Sequence, residues 1–137
     1  MEKTLGIVKP DAVKAGRSGK IIDIIENAEL KIIAMKKISL SKEQAKQFYE
    51  VHKDKPFYES LTEFMSSGKI IVMAIEGENA IAKYRQIMGA TDPAKAEKGT
   101  IRNLYGTNIE HNAVHGSDAP ETAKEELAFF FSKYELL

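Results

Sequence analysis

The chain has no cysteine and no tryptophan among its 137 residues. Without cysteine there is no disulfide, no thiolate metal site and no thiol nucleophile, and a reducing compartment is compatible with that composition. Net charge is lacking as well, since 20 Lys and Arg balance 20 Asp and Glu. A neutral chain offers no bulk field for nucleic acid or an anionic membrane, so any anion site must come from local placement of cations. Long apolar runs are also missing. The stretch KIIVMAI at 69–75 is far short of the roughly 20 residues that a membrane-spanning helix needs. The opening residues, Met-Glu-Lys-Thr-Leu, lack the apolar region of a secretory leader. These absences predict a soluble cytoplasmic protein with neither membrane nor nucleic acid as partner. The length predicts one domain over residues 1–137.

What is present is strongly periodic. Thr4–Val8 reads as a short strand stopped at Pro10, with Asp11 placed to cap a helix just after it. Ile21, Ile22, Ile25 and Ala28 have helical spacing, and Leu30–Ser39 has strand spacing, with Leu30, Ile32, Ala34 and Ile38 on one face. Ser41 and Gln44 form a capping-box pattern ahead of the stripe Ala45, Phe48, Tyr49 and His52. Phe57, Leu61, Phe64 and Met65 predict a second short helix, and KIIVMAI a central strand. Asn79 is then placed to cap a helix carrying Ile81, Tyr84, Ile87 and Met88. From Gly89 to His111 no period is sustained, and an irregular stretch of that length is most often functional. Ala113–His115 predicts a brief strand, and Ser117 or Asp118 a cap for a last helix with Pro120 in its first turn. The order β-α-β-α-α-β-α-loop-β-α predicts a four-stranded ferredoxin-like sheet covered on one face by helices. By itself it leaves the strand directions open.

The chemistry concentrates around NAVHGSD, residues 112–118. His115 stands at a strand end, followed by Gly116 and a helix start, where unpaired N–H groups suit a phosphate and a glycine lets the backbone come close to it. Glu126 lies one turn after Ala123 and one turn before Phe130, on the apolar face of the last helix. A carboxylate there needs a partner, and His115 is the nearest in sequence. Lys9, Arg85 and Arg102 are candidate phosphate cations, and Thr91, Arg102 and Asn112 belong to or border the irregular segment leading to His115. Spacing alone leaves the bland readings open: a strand-end histidine completing a hydrogen bond, a Glu126 bent out to solvent, and three solvated cations. Other chemistries fit poorly. AGRSGKI at 15–21 has the wrong first glycine spacing for a phosphate-binding loop, and Ile21 where a hydroxyl is needed. His111 and His115 are four apart but on a strand, which separates their rings too widely for zinc. A Ser-His-Asp hydrolase would need a nucleophile elbow that is not there.

The segments TLGIVKPDAV, YEVHKDKPFYESLTEFMSSG, YRQIMGATDPAKAEKGTIR and NAVHGSD come in the same order as in the nucleoside diphosphate kinases. The chain resembles that family from Lys3 to Phe131, and Asn-x-x-His-Gly-Ser-Asp is highly specific to it. The resulting fold expectation is an α/β (α+β sandwich) protein with a four-stranded antiparallel ferredoxin-like sheet covered by helices. The resemblance implies that His115 is phosphorylated on Nδ1, with Glu126 and Ser117 supporting the ring and the transferred phosphate. It implies that Lys9, Tyr49, Arg85, Thr91, Arg102 and Asn112 surround phosphates and ribose, and that Phe57 stacks on the base with Leu61 and Ile109 lining the slot. Substrates would be nucleoside tri- and diphosphates, with Mg2+ arriving on the nucleotide, broad base specificity and a homo-oligomer, tetramer or hexamer. The short tail after the last helix points to the tetramer. Departures from the family pattern lie outside the implied site: Lys69 for a frequent proline, Glu29-Leu30 for Gly-Phe, Lys98 for proline, and Asn103-Leu104-Tyr105 where an aspartate is often carried. A non-catalytic nucleotide-binding module on the same fold is the alternative from another class.

Overall fold

The computed structural model describes all residues, Met1–Leu137. Its sheet has four strands, β1 (Glu2–Val8), β2 (Lys31–Ser39), β3 (Lys69–Gly77) and β4 (Val114–Gly116), in the order β2-β3-β1-β4. Every neighbouring pair is antiparallel. Seven helices connect and cover them: α1 (Pro10–Lys14), α2 (Ser18–Asn27), α3 (Lys42–Phe48), α4 (Tyr58–Met65), α5 (Ala80–Met88), α6 (Ile101–Tyr105) and α7 (Pro120–Phe130). No helix is long and apolar enough to cross a membrane.

The central strands explain the layers. β3 over Ile70–Ile75 and β1 from Thr4 on are largely apolar and buried on both sides, so alternate residues must be covered in both directions. Val8, Ile71, Met73 and Ile75 face one core, closed by Ile21 and Ile25 of α2, Tyr84 and Met88 of α5, and Ile101 of α6. Leu5, Ile7, Ile70, Val72 and Ala74 face the other, closed by Ala45 of α3, Met65 of α4 and Leu127 of α7. Helices therefore cover both faces, not one as the element order suggested.

Strand β2 departs from its predicted face. A bulge between Ile32 and Ala34 inserts Ile33 and shifts the alternation by one residue. Leu30 and Ile32 thus join the first core, while Ala34 and Ile38 pack on the second.

Three predicted caps also move. Asn79 occupies the cap position of α5 in a left-handed conformation (φ 51°) and makes no side-chain cap. The Glu2 carboxylate accepts from Ile81 N at 2.9 Å in its place, an acceptor supplied from 79 residues away. Asp11 falls inside α1, whose cap position is Lys9. The cap residue of α7 is Ala119, which has no side-chain acceptor. Thr122 reaches back to accept from Ala119 N at 3.1 Å, and its hydroxyl donates to Asp118 at 2.7 Å. The segment from Gly89 to His111 is likewise not structureless, since it holds a 3-10 turn at Pro93–Lys95 and α6.

Candidate active site

Register aims the histidine. In the β1–β4 pairing His115 lies opposite Ile7, and Ile7 faces the core shared with α3 and α7. Cross-strand partners project to the same face, so the imidazole is directed at those two helices. There His115 Nε2 sits 2.9 Å from Glu126 Oε1. The same carboxylate oxygen accepts from Ser117 Oγ at 2.7 Å, and Ser117 Oγ accepts in turn from Leu5 N at 3.3 Å. A carboxylate oxygen engaged in this way acts as acceptor, so the ring nitrogen facing it carries the hydrogen and Nδ1 keeps its lone pair.

The ring is also boxed by aromatics. Phe48 meets it edge-on with centroids 5.6 Å apart, and Tyr49 at 6.3 Å. Tyr49 is buried and its hydroxyl has no hydrogen-bond partner. Burial, with Glu126 nearby, pushes that hydroxyl's pKa well above the usual phenolic range, so it stands as a neutral donor beside the histidine.

The cations enter from the backbone side. Lys9 is buried, and its Nζ donates to Asn112 Oδ1 at 2.9 Å; Asn112 Nδ2 donates to Thr91 O at 3.0 Å. Burial holds the Lys9 pKa down to about 8, with the Arg102 charge acting in the same direction and Asp11 and Glu110 opposing it. Arg102 sits in α6 rather than in a loop. Its guanidinium donates to Gly89 O at 3.1 Å and Val114 O at 2.9 Å, which ties α6 to the strand that carries His115, and its Nε is buried without a partner. Arg85, exposed on α5, donates to Gly116 O at 3.3 Å.

One feature of the motif is strained. Ala113 has φ 74°, a left-handed conformation that costs a non-glycine residue about 1–2 kcal/mol. Two long-range hydrogen bonds hold it there: Ala113 N donates to Asp11 Oδ2 at 3.1 Å, and Lys9 N donates to Ala113 O at 2.8 Å. Such strain collects where surrounding structure over-determines a functional backbone. Gly116, by contrast, is required by packing. A Cβ there would fall 2.8 Å from the Tyr84 ring, so its smallness serves packing against α5.

The three residues expected to hold a base stand apart from this network. Leu61 is half-buried on α4, Phe57 precedes that helix at 43% exposure, and Ile109 lies on the facing segment at 61%. Residues that sequence reading did not place at the site are Phe48 and Asp11. Phe48 was visible only as part of an apolar stripe, and Asp11 only as a cap candidate. Ser60 and Glu110 carried no local signal.

No group of three or more His, Asp or Glu side chains gathers to hold a metal ion. The polar set gathered around the β4 motif includes the cations Lys9, Arg102 and Arg85 and the hydroxyls of Ser117 and Tyr49. It suits the oxygens of a phosphate chain, and a divalent ion carried on those oxygens would fit among them.

Comparison with known proteins gives one consistent answer. The family model described as nucleoside diphosphate kinase matches residues 2–136. A nucleoside diphosphate kinase of Persephonella marina is 59% identical over 137 residues, covering 100% of this chain and 98% of that protein. One from Nitratiruptor is 57% identical with 100% of both covered. Among solved structures, the Aquifex aeolicus nucleoside diphosphate kinase superposes with a TM-score of 0.97 at 44% identity, over 99% of each chain. A halophilic nucleoside diphosphate kinase from Halobacterium salinarum in complex with CDP gives 0.95 at 40%, covering 99% of this chain and 91% of that one.

Proposed function

This chain belongs to the nucleoside diphosphate kinase family and is a phosphotransferase of that kind, and on that premise we propose that it works by a two-step shuttle through His115. In the first step the Nδ1 lone pair attacks the γ-phosphorus of a nucleoside triphosphate. An N–P bond forms, the bridging P–O bond breaks, and the diphosphate leaves with the electron pair on its terminal oxygen. In the second step the terminal oxygen of another diphosphate attacks that phosphorus, and the N–P electrons return to the ring. The observation that carries this reading is the Nε2–Glu126 contact at 2.9 Å, which leaves Nδ1 as the free nucleophile.

The remaining residues take roles set by where they stand. Glu126 and Ser117 hold the ring and stabilise the positive charge it develops. Lys9, Arg102 and Arg85 neutralise phosphate charge, which is most of what phosphoryl transfer asks of a protein. A phosphoryl group near the ring would give the unpaired Tyr49 hydroxyl an acceptor. Asn112 and Thr91 orient Lys9 and the ribose side of the substrate. No carboxylate cluster of this chain would hold Mg2+; arriving with the nucleotide, it would supply charge neutralisation at the phosphates beside Lys9, Arg102 and Arg85. Phe57, Leu61 and Ile109 would take the base. An aromatic face with two aliphatic side chains accepts any base, which supports broad specificity, and the CDP in the Halobacterium salinarum structure fits the nucleotide substrate class. A homo-oligomer, tetramer or hexamer, and a cytoplasmic setting belong to the same proposal; light scattering reads the first and cell fractionation the second.

The decisive experiment mixes the protein with γ-labelled ATP and Mg2+ and denatures it in alkali. The expected result is label that stays on the protein, is released by acid, and is absent from His115→Ala, together with parallel double-reciprocal plots. An acid-stable adduct, or intersecting lines, overturns the shuttle.

A further inference from the structure

Helix α4 and the segment before β4 face each other through a short series of side chains. On the helical side Phe57, Ser60 and Phe64 are spaced at i, i+3 and i+7, so they share one face. On the other side Ile109, Glu110 and His111 are consecutive. Phe64 and His111 have ring centroids 4.2 Å apart at 42°. Ser60 Oγ donates to Glu110 Oε2 at 2.7 Å across a sequence separation of 50 residues. Phe57 and Ile109, at the outer end, are the two exposed apolar members.

The Ser60–Glu110 bond is the only hydrogen bond between α4 and residues 107–111. Each of its partners is braced from its own side. The helix is held to α3 by Tyr58 Oη donating to Lys46 O at 2.9 Å and by Lys42 pairing with Glu59 and Glu63 at 3.1 and 3.0 Å. The facing turn is held by Asn108 Oδ1, which accepts from Glu110 N at 3.1 Å and His111 N at 2.9 Å. Two separately braced walls are thus joined by one charge-assisted hydrogen bond and the Phe64–His111 ring contact, next to the proposed base slot.

We infer that Ser60 and Glu110 are positioning residues that set the spacing of Phe57 and Ile109 before a nucleotide arrives. This rests on the reading of those two residues as the base slot. A slot with fixed walls spends less ordering entropy on binding than one with free walls, so the tie acts on nucleotide affinity and not on the transfer step. Neither residue touches the reacting atoms; the Glu110 charge acts on Lys9 from a distance, so Ser60→Ala, which leaves that charge in place, is the decisive variant.

The test is steady-state kinetics of the full chain with varied GDP and CDP at fixed ATP. Ser60→Ala and Glu110→Ala are each expected to raise KM for both diphosphates about 10- to 15-fold, the low end for losing a hydrogen bond to a charged group. kcat should stay within about twofold. The Ser60→Ala/Glu110→Ala double variant should be no worse than Ser60→Ala, which already removes the shared bond and also the contact of Ser60 Oγ with Phe57 O at 3.1 Å. Glu110→Gln keeps the acceptor oxygen and should restore KM to near the parent value. A Ser60→Ala protein with unchanged or lowered KM overturns the inference, as does Glu110→Gln behaving like Glu110→Ala. A parent protein that transfers no phosphate to GDP or CDP overturns the functional reading itself, and the inference with it.

Discussion

The two ends of the candidate site are built in opposite ways. At the proposed phosphate end Lys9, Arg102, Asn112 and Ser117 are all buried, and each is pinned by a bond to a residue brought in from elsewhere in the chain or from the backbone beside it. At the proposed base end Phe57 and Ile109 are open to solvent, and their walls are joined by a single side-chain bond. Desolvated, immobilised charge is costly to assemble in the fold but needs little rearrangement when a phosphate arrives. An open apolar slot costs the fold little and discriminates little. On the proposed function, the contrast predicts a protein strict about the group transferred and tolerant of the base attached to it.

The hardest blow to that contrast should be Arg102→Ala. It leaves Gly89 O and Val114 O without their donor. With unpaired buried groups at about 1–3 kcal/mol each, the fold should lose about 2–6 kcal/mol. Urea unfolding reads that loss, and calorimetry should show weaker nucleotide binding beside it. A variant with parental stability would mean that the phosphate end is less rigid than its hydrogen bonds indicate.

Glu126→Gln should be smaller and purely kinetic. It frees the imidazole to take the wrong tautomer, so the phosphorylation rate in single turnover should fall at least about 10- to 100-fold, the effect known for groups that orient metal-bound histidines. Nucleotide affinity should hardly move. Equal effects of Glu126→Gln and Arg102→Ala on binding would erase the distinction between holding the ring and holding the substrate.

Phe57→Ala probes the other end. Stacking on an aromatic ring gives about 1–3 kcal/mol per base, and a ring exposed to 43% should fall at the bottom of that range. kcat/KM should therefore drop about fivefold, alike for adenine, guanine, cytosine and uracil diphosphates. A loss confined to one base would expose an edge reader and break the picture of an indifferent slot.

The smallest effect is a pH dependence at Lys9. Its pKa is about 8 in the folded chain against 10.5 when solvated. Below pH 8 the group is charged in both folded and unfolded states, and the fold carries the full cost of burying it. Between about 8 and 10.5 the folded chain gives up the proton while the unfolded chain keeps it, so this group makes the fold more stable as pH rises. Function runs the other way, since a neutral amine no longer neutralises phosphate: kcat/KM should decline above about pH 8. The stability difference between the parent and Lys9→Met should shrink across the same window. A difference that is flat with pH would place Lys9 in solvent.

How much of this was legible in the chain varied with the range of the interaction. The strands Thr4–Val8 and KIIVMAI were readable because central strands bury both faces and read as continuous apolar runs. His115 and Glu126 stood out because each residue type conflicted with its local surroundings, and the pairing between them is the contact found. Their chemical roles came from the resemblance to a family, not from spacing. The bulge at Ile33, the Glu2 cap on α5 and the Ser60–Glu110 bond left no local trace.

The sequence by itself determined the inventory: which strands are central, which helix carries a misplaced carboxylate, and which short strand carries an imidazole, although that strand runs one residue later than expected, Val114–Gly116, with His115 at its middle. Such features depend on neighbours within a few residues, where periodicity and propensity act. Only the tertiary structure decided that both sheet faces are covered, that Lys9 is stripped of water beside Arg102, and that Asp11 holds Ala113 in a left-handed turn from 102 residues away. Each of these depends on strand register and on how chain segments converge. A one-residue shift exchanges the faces of a strand, and desolvation belongs to a place in space, not to a residue type.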